Sequence, residues 1–456
     1  GGGVYVESAY GNMGHFTVSG SAKVSGNNTS NVYLPDGATM AIGQGGFDNN
    51  ASIGVTTEKS PAQGSYVAIA TGADGDYKDG TFTDDQNTGG CKFQQVGDQI
   101  LLVNGTLHQH PICGNTCDHD SEHANVAWKG VSSLSEITTG GYYYLTQDIE
   151  QTQTWNLPDA KVVLCLNGYN ITAKANVDVI KTSSYAQFIL TDCRGEKTEY
   201  GKITHKEGRV GRGIYVNYIF TMYGGEISGN DAPSTSNKGY GGGVYVVNHR
   251  TFTMNDGSII GCSAEASGGG VYANGTVIMN SGSFTSCSAN CGGGIYVSGK
   301  YNGGLSMNSG SITGCSAAEG GGIYLSTGAS LTSKDGFVLC NNTATTYGAD
   351  AHICKGSKLP SAASMNAVYN ADGKDRTITG WYEDDSSTRY SPENYSREIT
   401  NNDLSSRDYA LVASYQDENI HTITIAKDAK GNTPGYAYRK DETTGKTTTI
   451  TGTFPG

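Results

Sequence analysis

One short sequence pattern recurs between Gly211 and Cys340, and this repeat constrains the fold more than any other feature. Each copy opens on glycine followed by a run of β-branched residues and tyrosine. The five openings are GRGIYV from Gly211, GGGVYV from Gly241, GGGVYA from Gly268, GGGIYV from Gly292 and GGGIYL from Gly320. They are spaced 30, 27, 24 and 28 residues apart. A nearly constant period of this length is typical of a repeat architecture.

Each copy holds three short apolar runs separated by glycine turns. The runs alternate apolar with small or polar residues and favour Val, Ile, Tyr, Phe and Thr, which is typical of strands. Three short strands per copy fit one rung of a parallel β-helix, in which each strand pairs with its equivalent in the next rung. The sequence therefore predicts an all-β fold: a right-handed parallel β-helix with irregular β caps and a short metal-binding-like linker.

Residues at equivalent positions of successive rungs should stack into ladders. The second run supplies Met222, Met254, Met279 and Met307, and the third supplies Ile227, Ile259, Phe284, Ile312 and Phe337. Just after the third run come Asn230, Cys262, Cys287, Cys315 and Cys340. We interpret these cysteines as a buried thiol stack. Disulfides are the alternative, and Cys287 with Cys291, or Cys291 with another neighbour, is the pair best suited to oxidation.

The tyrosines of the first run alternate with inward Ile or Val and should therefore point outward. They are Tyr215, Tyr245, Tyr272, Tyr296 and Tyr324. Such a row can be structural, because aromatic ladders strengthen strand pairing. Tyrosine is also common on surfaces that contact sugars and proteins. The sequence thus predicts a candidate binding face, with the long loop Asp231–Tyr240 at its edge.

The combination of GGG[IV] with F-x-x-N, as in Gly241–Val244 and Phe252–Asn255, resembles the GGA[ILV]/FxxN repeats of polymorphic membrane protein adhesins. The wider arrangement is similar to the very large, glycine-rich β-helix surface proteins of Gram-positive gut bacteria. This resemblance covers roughly residues 130–415 and, more weakly, residues 1–105. It implies a β-helix, an extracellular or cell-surface location and an adhesin-like class of function.

Changes in the repeat pattern divide the chain into five segments. Residues 1–105 read as a terminal β-helix rung followed by a β-rich cap, and 106–129 as a linker rich in His and Cys. The main β-helix is expected over 130–355 and a C-terminal cap over 356–417. Residues 418–456 are expected to form a small β module. Because the chain begins directly on GGGVYV, we expect it to be a piece of a longer secreted protein.

The linker concentrates residues that bind metal ions. Its candidate ligands are His108, His110, Cys113, Cys117, His119 and His123. Imidazole and thiolate are the ligands that Zn²⁺ prefers, and four of them close a structural site. The sequence predicts one structural zinc ion here. A Cys113–Cys117 disulfide and a merely polar linker are the alternatives.

Charge and hydropathy exclude some classes of partner. The 456 residues include 30 Lys and Arg against 43 Asp and Glu, which gives a net charge of −13. No basic run offers a footprint for phosphates, so no nucleic-acid partner is expected. No segment reaches the length of apolar sequence that a membrane span requires. Eleven cysteines cannot all pair within the chain.

The predicted function is a non-enzymatic adhesin or stalk that presents a β-helix face to a glycan or a host protein. One alternative is a β-helix lyase or glycosidase, which needs a pair of carboxylates or a base beside cations. Acidic residues are few in the regular rungs, and we interpret Asp192 with Arg194 as a salt bridge within a turn. Another alternative is a structural spacer or a filament subunit that associates end to end.

Overall fold

The computed structural model describes residues 3–354 except for short gaps, and five strand segments beyond them. The gaps fall at 7, 10–11, 14–15, 62–64, 74–76, 88, 106, 108–109, 111–125, 195–196, 235–238 and 334–336. The later segments are 368–371, 374–383, 409–417, 437–440 and 447–450.

The regular secondary structure of the described residues consists almost entirely of short strands, as the runs of β-branched residues predict. The first twelve are β1 (Val4–Tyr5), β2 (Ser8–Ala9), β3 (Asn12–Met13), β4 (Thr17–Gly20), β5 (Lys23–Val24), β6 (Val32–Leu34), β7 (Met40–Phe47), β8 (Ser52–Thr57), β9 (Tyr66–Thr71), β10 (Phe82–Asp84), β11 (Cys91–Val96) and β12 (Gln99–Asn104). The next eleven are β13 (Trp128–Val131), β14 (Gly141–Leu145), β15 (Ile149–Gln151), β16 (Trp155–Asn156), β17 (Lys161–Cys165), β18 (Ile171–Ala173), β19 (Ile180–Lys181), β20 (Gln187–Thr191), β21 (Lys202–His205), β22 (Ile214–Val216) and β23 (Ile219–Ser228).

The regular repeats supply β24 (Asp231–Ala232), β25 (Val244–Val246), β26 (Thr251–Ile260), β27 (Ser263–Ser267), β28 (Val271–Ala273), β29 (Thr276–Met279), β30 (Ser283–Thr285), β31 (Ser288–Cys291), β32 (Ile295–Val297), β33 (Gly304–Met307), β34 (Gly310–Thr313), β35 (Ser316–Glu319), β36 (Ile323–Leu325), β37 (Ser330–Ser333), β38 (Phe337–Cys340), β39 (Thr343–Tyr347) and β40 (Ala351–Ile353). The last five are β41 (Val368–Ala371), β42 (Lys374–Glu383), β43 (Tyr409–Asp417), β44 (Ala437–Lys440) and β45 (Thr447–Ile450). The helices among the described residues are two 3₁₀ turns, Leu134–Glu136 and Gly299–Tyr301, and neither is long and apolar enough to cross a membrane.

The chain divides into two compact units. The first comprises Gly1–Ser228 with Phe252–Ser258, and the second comprises Gly229–Thr251 with Ile259–Gly456. This division falls inside the predicted segment 130–355. In both units, strands pair in parallel with their equivalents one rung away, and the predicted parallel β-helix is confirmed.

The first unit begins with a pair of equivalent strands. β1 and β6 pair in parallel, and Tyr5 stacks on Tyr33 with ring centroids 5.2 Å apart. β9, β11 and β12 then form an antiparallel sheet that departs from the repeat. From β13 onward the rungs are parallel, with β14, β17, β20 and β23 as successive neighbours.

Aromatic rings fill the interior of these rungs. Phe188 and Phe220 stack with centroids 5.4 Å apart, and Phe220 and Phe252 stack at 4.9 Å. All three are fully buried. Trp155 packs edge-on against Phe188 at 6.0 Å. Because a ring of one rung lies over the ring of the next, each rung buries apolar area that it could not bury alone.

The second unit carries the regular repeats. Val244, Val271, Ile295 and Ile323 are fully buried, and β25, β28, β32, β36 and β40 pair in parallel through them. Met279 and Met307 are also fully buried and are register partners. The predicted ladder of methionines is therefore present in this unit, where it lies in the core, and Met222 and Met254 are likewise buried in the first.

The glycine triplets allow the rungs to approach each other. Gly268 adopts a left-handed φ of +70°, which L side chains rarely occupy. A Cβ at Gly270 would lie 2.6 Å from the carbonyl oxygen of Gly294 in the next rung. In the last rung, Ala349 and Asp350 follow Gly348 in place of the second and third glycines. There the next neighbour of β40 is β43, which pairs antiparallel.

The register of the fifth repeat differs from the sequence prediction. Ile312 pairs with Leu339, whereas Phe337 pairs with Gly310. Ser316 pairs with Thr343, so Asn342 and not Cys340 is equivalent to Cys315. The chain has one residue more between the second and third strands of this rung than in the preceding rung. The ladder after the third strand therefore runs Asn230, Cys262, Cys287, Cys315, Asn342, with an asparagine at each end.

Candidate functional site

The predicted tyrosines of the second unit stack on one another in a continuous row. Ring centroids are 5.3 Å apart for Tyr245 and Tyr272, 5.0 Å for Tyr272 and Tyr296, and 5.0 Å for Tyr296 and Tyr324. His352 continues the row at 4.7 Å from Tyr324. All four pairs lie within 11° of parallel. We call Tyr245, Tyr272, Tyr296, Tyr324 and His352 the tyrosine ladder.

The hydroxyl groups of the tyrosine ladder are hydrogen-bonded to the following rung. Asn274 donates to the Tyr245 hydroxyl at 3.2 Å, and the Cys354 thiol donates to the Tyr324 hydroxyl at 3.2 Å. Tyr272 and Tyr296 bond to the side chains of Ser298 and Ser326. Each of these partners stands two residues after the ring of its own rung. A sequence signal for this contact therefore exists, namely a small polar residue or Cys at that offset.

The four tyrosines of the ladder are half-buried on its outer face. Burial raises the pKa of Tyr272 well above its usual value, and the neighbouring phenols of Tyr296 and Tyr245 raise it further. Burial also raises the pKa of Tyr324. The rings are thus neutral at physiological pH. Because their faces are covered by neighbouring rings, they present edges and hydroxyl groups outward.

One further tyrosine lies on this face. Tyr240 is 38% exposed, and its ring centroid lies 4.8 Å from that of Tyr272 with an interplanar angle of 53°. Tyr240 therefore extends the aromatic surface, a role that the sequence prediction did not give to its ring. It ends the predicted loop Asp231–Tyr240, of which 235–238 lie outside the described residues.

The predicted binding residue Tyr215 belongs to the first unit, where Lys181 Nζ lies 5.3 Å from the centroid of the Tyr215 ring.

The predicted thiol stack is present in the interior of the second unit. Cys262, Cys287 and Cys315 are fully buried. Hydrogen bonds among the three thiols, together with burial, raise the pKa of Cys287. The predicted oxidised pair of Cys287 and Cys291 is not formed, because Cys287 faces the core whereas Cys291 is half-buried on β31. Burial raises the pKa of Cys291 to about 11, and nearby Glu319 adds to the shift. Neither thiol is an activated nucleophile.

The linker prediction is tested at one residue only. His108, Cys113, Cys117, His119 and His123 lie outside the described residues, and their role as ligands stays a prediction. His110 is described and buried. The structure brings it to two cysteines that the sequence prediction did not include, Cys165 and Cys193. The ligand atoms of these three residues all lie within 4.8 Å of one another, so the group could hold a metal ion.

The geometry of this group is compact. His110 Nδ1 lies 3.1 Å from Cys193 Sγ, and the two sulfur atoms are 3.5 Å apart. The imidazole packs against Trp128 and Tyr144, with centroid distances of 5.0 and 4.5 Å. Burial, followed by the adjacent Cys193 thiol, raises the pKa of Cys165. A neutral thiol there would lose its proton on binding a cation.

The sequence spacing of Cys165 and Cys193 gives only a weak signal for this pair. Cys165 and Cys193 are 28 residues apart, within the range of 24 to 30 residues that separates the repeat openings, whereas the two rungs that carry them are offset by 26 residues. The pair lacks the close spacing of familiar zinc motifs, so only the register between two rungs identifies it. That register pairs Cys165 with Thr191, two residues before Cys193.

Asp192 is a buried carboxylate of the kind that the enzyme alternative would require. Its oxygens accept backbone N–H groups of Gly168 at 2.9 Å, Arg194 at 2.7 Å and Gly201 at 2.5 Å. The predicted salt bridge between Asp192 and Arg194 is therefore wrong. Asp192 accepts a hydrogen bond from the backbone N–H of Arg194 and not from its guanidinium group. The guanidinium lies over the ring of Tyr200, 4.8 Å from its centroid. Burial raises the pKa of Asp192, but its two oxygens already accept the three backbone hydrogen bonds that hold the loop.

Comparisons with known proteins give no assignment. No protein-family model matches the chain, and neither a search of curated proteins nor a search of solved structures finds a match.

Proposed function

We propose that this protein is a non-enzymatic, adhesin-like stalk of the bacterial cell surface, and that the tyrosine ladder with Tyr240 is its contact face. The observation that carries the proposal is the continuous row of half-buried aromatic rings along one face of the regular rungs. Tyrosine offers large contact area at a low cost in side-chain entropy, together with a polar hydroxyl group.

The stacking decides how a partner would be bound. Adjacent rings lie 5.0–5.3 Å apart, so no sugar ring can insert between them. A glycan or host protein would instead lie across the ring edges and hydroxyl groups, with Tyr240 at one side. The partner face would need hydrogen-bonding groups repeated at the spacing of the rungs, about 4.8 Å.

The test is a binding screen of the protein against a glycan array and a set of mucosal proteins, including immunoglobulins. A partner of this face should lose about 1–3 kcal/mol of binding free energy for each hot-spot ring removed in a Tyr272→Ser/Tyr296→Ser variant. Tyr185→Ser is the matched control, because that ring is 72% exposed and lies outside the ladder. Circular dichroism would verify that each variant is folded.

Three outcomes would redirect the proposal. Full binding by the folded double variant would move recognition to another surface. No ligand across the whole screen would favour the spacer, because a stacked and hydrogen-bonded row of rings also stiffens the strand pairing on which a spacer depends. Release of reducing ends or unsaturated products from mucin and plant polysaccharides would instead support the enzyme alternative.

We also propose that the metal of this protein is zinc. Thiolate and imidazole donors favour Zn²⁺ over Mg²⁺ and Ca²⁺, which take oxygen ligands. The His110, Cys165 and Cys193 group offers two sulfur donors and one nitrogen donor in a largely buried position. Elemental analysis of protein purified without added metal should find about one zinc ion per chain, the stoichiometry of a single closed site. A metal content near zero would overturn this assignment.

A further inference from the structure

We infer that the metal ion is bound by His110, Cys165 and Cys193, and that it fastens the chain segment carrying His110 onto two neighbouring rungs of the β-helix. The inference rests on the proposed presence of zinc. It goes further because it names the ligands, two of which lie far outside the linker, and gives the ion a structural role.

The distances fit a tetrahedral ion. Two thiolates bound at about 2.3 Å to one tetrahedral zinc lie about 3.8 Å apart, and a thiolate and an imidazole nitrogen about 3.6 Å apart. The observed separations are 3.5 Å between the sulfurs and 3.1 Å between Nδ1 and Cys193 Sγ. Small outward movements of the side chains would therefore admit the ion without a change of backbone.

The two sulfur ligands are held in place by the sheet. Cys165 is the last residue of β17, and β20 pairs with β17 through five consecutive register partners that end at Thr191. Cys193 follows two residues later. A hydrogen bond from the Cys193 backbone N–H to Cys165 Sγ, at 3.4 Å, ties the two positions together. This half of the site is thus preorganised by backbone pairing, which lowers the entropic cost of binding an ion.

The third ligand comes from a distant part of the sequence. His110 precedes Cys193 by 83 residues, and its ring is packed between two aromatic side chains of the first rungs, Trp128 and Tyr144. Tyr144 and Trp128 also belong to the buried cluster that contains Cys165. An ion at this position would close a long loop and hold the segment against the cluster, as a cross-link does.

The chemistry of the group selects the class of metal. Binding converts two thiols to thiolates and releases their protons to solvent, while the imidazole coordinates in its neutral form. Two sulfurs and one nitrogen suit Zn²⁺, and Co²⁺ or Cd²⁺ as spectroscopic substitutes. The three residues supply three of the four donors of a tetrahedral zinc site.

The experiment compares the metal content of four proteins, each purified without added metal. They are the parent, Cys165→Ser/Cys193→Ser, Cys113→Ser/Cys117→Ser, and Cys91→Ser as a control cysteine outside the group. We expect the first double variant to fall below about a tenth of the parent zinc content, because both sulfur ligands are lost. The second double variant and the control should retain at least one half.

A second measurement covers the case in which the Cys165→Ser/Cys193→Ser variant does not fold. X-ray absorption at the zinc edge of Cys113→Ser/Cys117→Ser should still show two sulfur neighbours at about 2.3 Å. Loss of sulfur neighbours in that variant would assign the ion to the linker and overturn the inference while zinc itself stands. A parent without metal, with Cys165 and Cys193 joined by a disulfide in peptide mass spectra, would overturn both proposals.

Discussion

The rings of Tyr272 and Tyr296 lie 5.0 Å apart and within 6° of parallel, although 24 residues of sequence separate them. Their Cα atoms are register partners in adjacent parallel strands. Because every rung places its tyrosine at the same position, the stacking repeats from Tyr245 to Tyr324. Side-chain stacking and backbone pairing therefore act on the same strands, and removing one ring affects two neighbours at once.

Replacing Tyr296 with serine should destabilise the protein. The ring stacks on Tyr272 and on Tyr324, and pairs of this kind contribute about 0.5–1.5 kcal/mol each, so the free energy of unfolding should fall by about 1–3 kcal/mol. Denaturant unfolding measures the change. Tyr185→Ser, at an exposed tyrosine, should change it by less than about 0.5 kcal/mol. Equal effects of the two substitutions would contradict a structural role for the ladder.

Replacing Gly270 with alanine should also destabilise the protein. The new Cβ would lie 2.6 Å from the Gly294 carbonyl oxygen and 2.8 Å from Phe284, so two rungs must separate locally. Overpacking of this kind costs about 1–3 kcal/mol. Thermal unfolding followed by circular dichroism should show a clear drop in Tm.

Gly304→Ala is the matched control for this prediction. Its Cβ would lie 3.1 Å from the Ser330 hydroxyl, which can rotate away, and 4.0 Å from the Ser330 carbonyl oxygen, an ordinary contact. We expect a smaller change in Tm than for Gly270→Ala. A drop as large in the control would mean that loss of chain flexibility, and not close approach of the rungs, explains the glycine triplets.

The sequence predicted the parts of this structure that repeat. Period and alternation identify the β-helix, the inward methionines and the row of tyrosines, because each rung imposes the same environment on the same position. The fifth repeat shows the limit of this reasoning. This rung has one residue more before β38 than the preceding rung, whereas the sequence prediction assumed one residue fewer, so Leu339 and Asn342 occupy the positions predicted for Phe337 and Cys340.

The group of His110, Cys165 and Cys193 shows a second limit. His110, Cys165 and Cys193 come together only because β17 and β20 pair and because the chain before β13 returns to Trp128 and Tyr144. The irregular early rungs give no period from which this register can be read. Local clustering of His and Cys therefore favoured the linker, whereas Cys165 ends β17 and Cys193 lies two residues after the end of β20.

The buried thiols should resist alkylation in the folded protein. Cys287 has no exposed surface, and its pKa is raised by the neighbouring thiols and by burial, so little thiolate is available to react. We expect iodoacetamide at pH 8 to label the half-buried Cys91 before Cys287, as measured by peptide mass spectrometry. In denaturant both should react at similar rates. Rapid labelling of Cys287 without denaturant would show that the core of the regular rungs opens readily.

Alkaline pH should destabilise the protein in part through Tyr66. Burial raises its pKa from the usual value of 10.0 to about 12, and its hydroxyl donates a hydrogen bond to the Ala127 carbonyl oxygen at 3.3 Å. The folded state therefore holds this proton more tightly than the unfolded state does. The contribution of Tyr66 to stability is complete below pH 10 and is lost as the pH rises towards 12.

A Tyr66→Phe variant tests this, because it removes the titrating group while keeping the ring. Unfolding free energies measured between pH 9 and pH 12 should fall less steeply for the variant than for the parent, by the equivalent of up to about one proton. Tyr185→Phe is the control substitution, because it removes a hydroxyl group from an exposed ring. Identical slopes for Tyr66→Phe and the parent would mean that the phenol ionises as easily in the folded protein as in the unfolded chain.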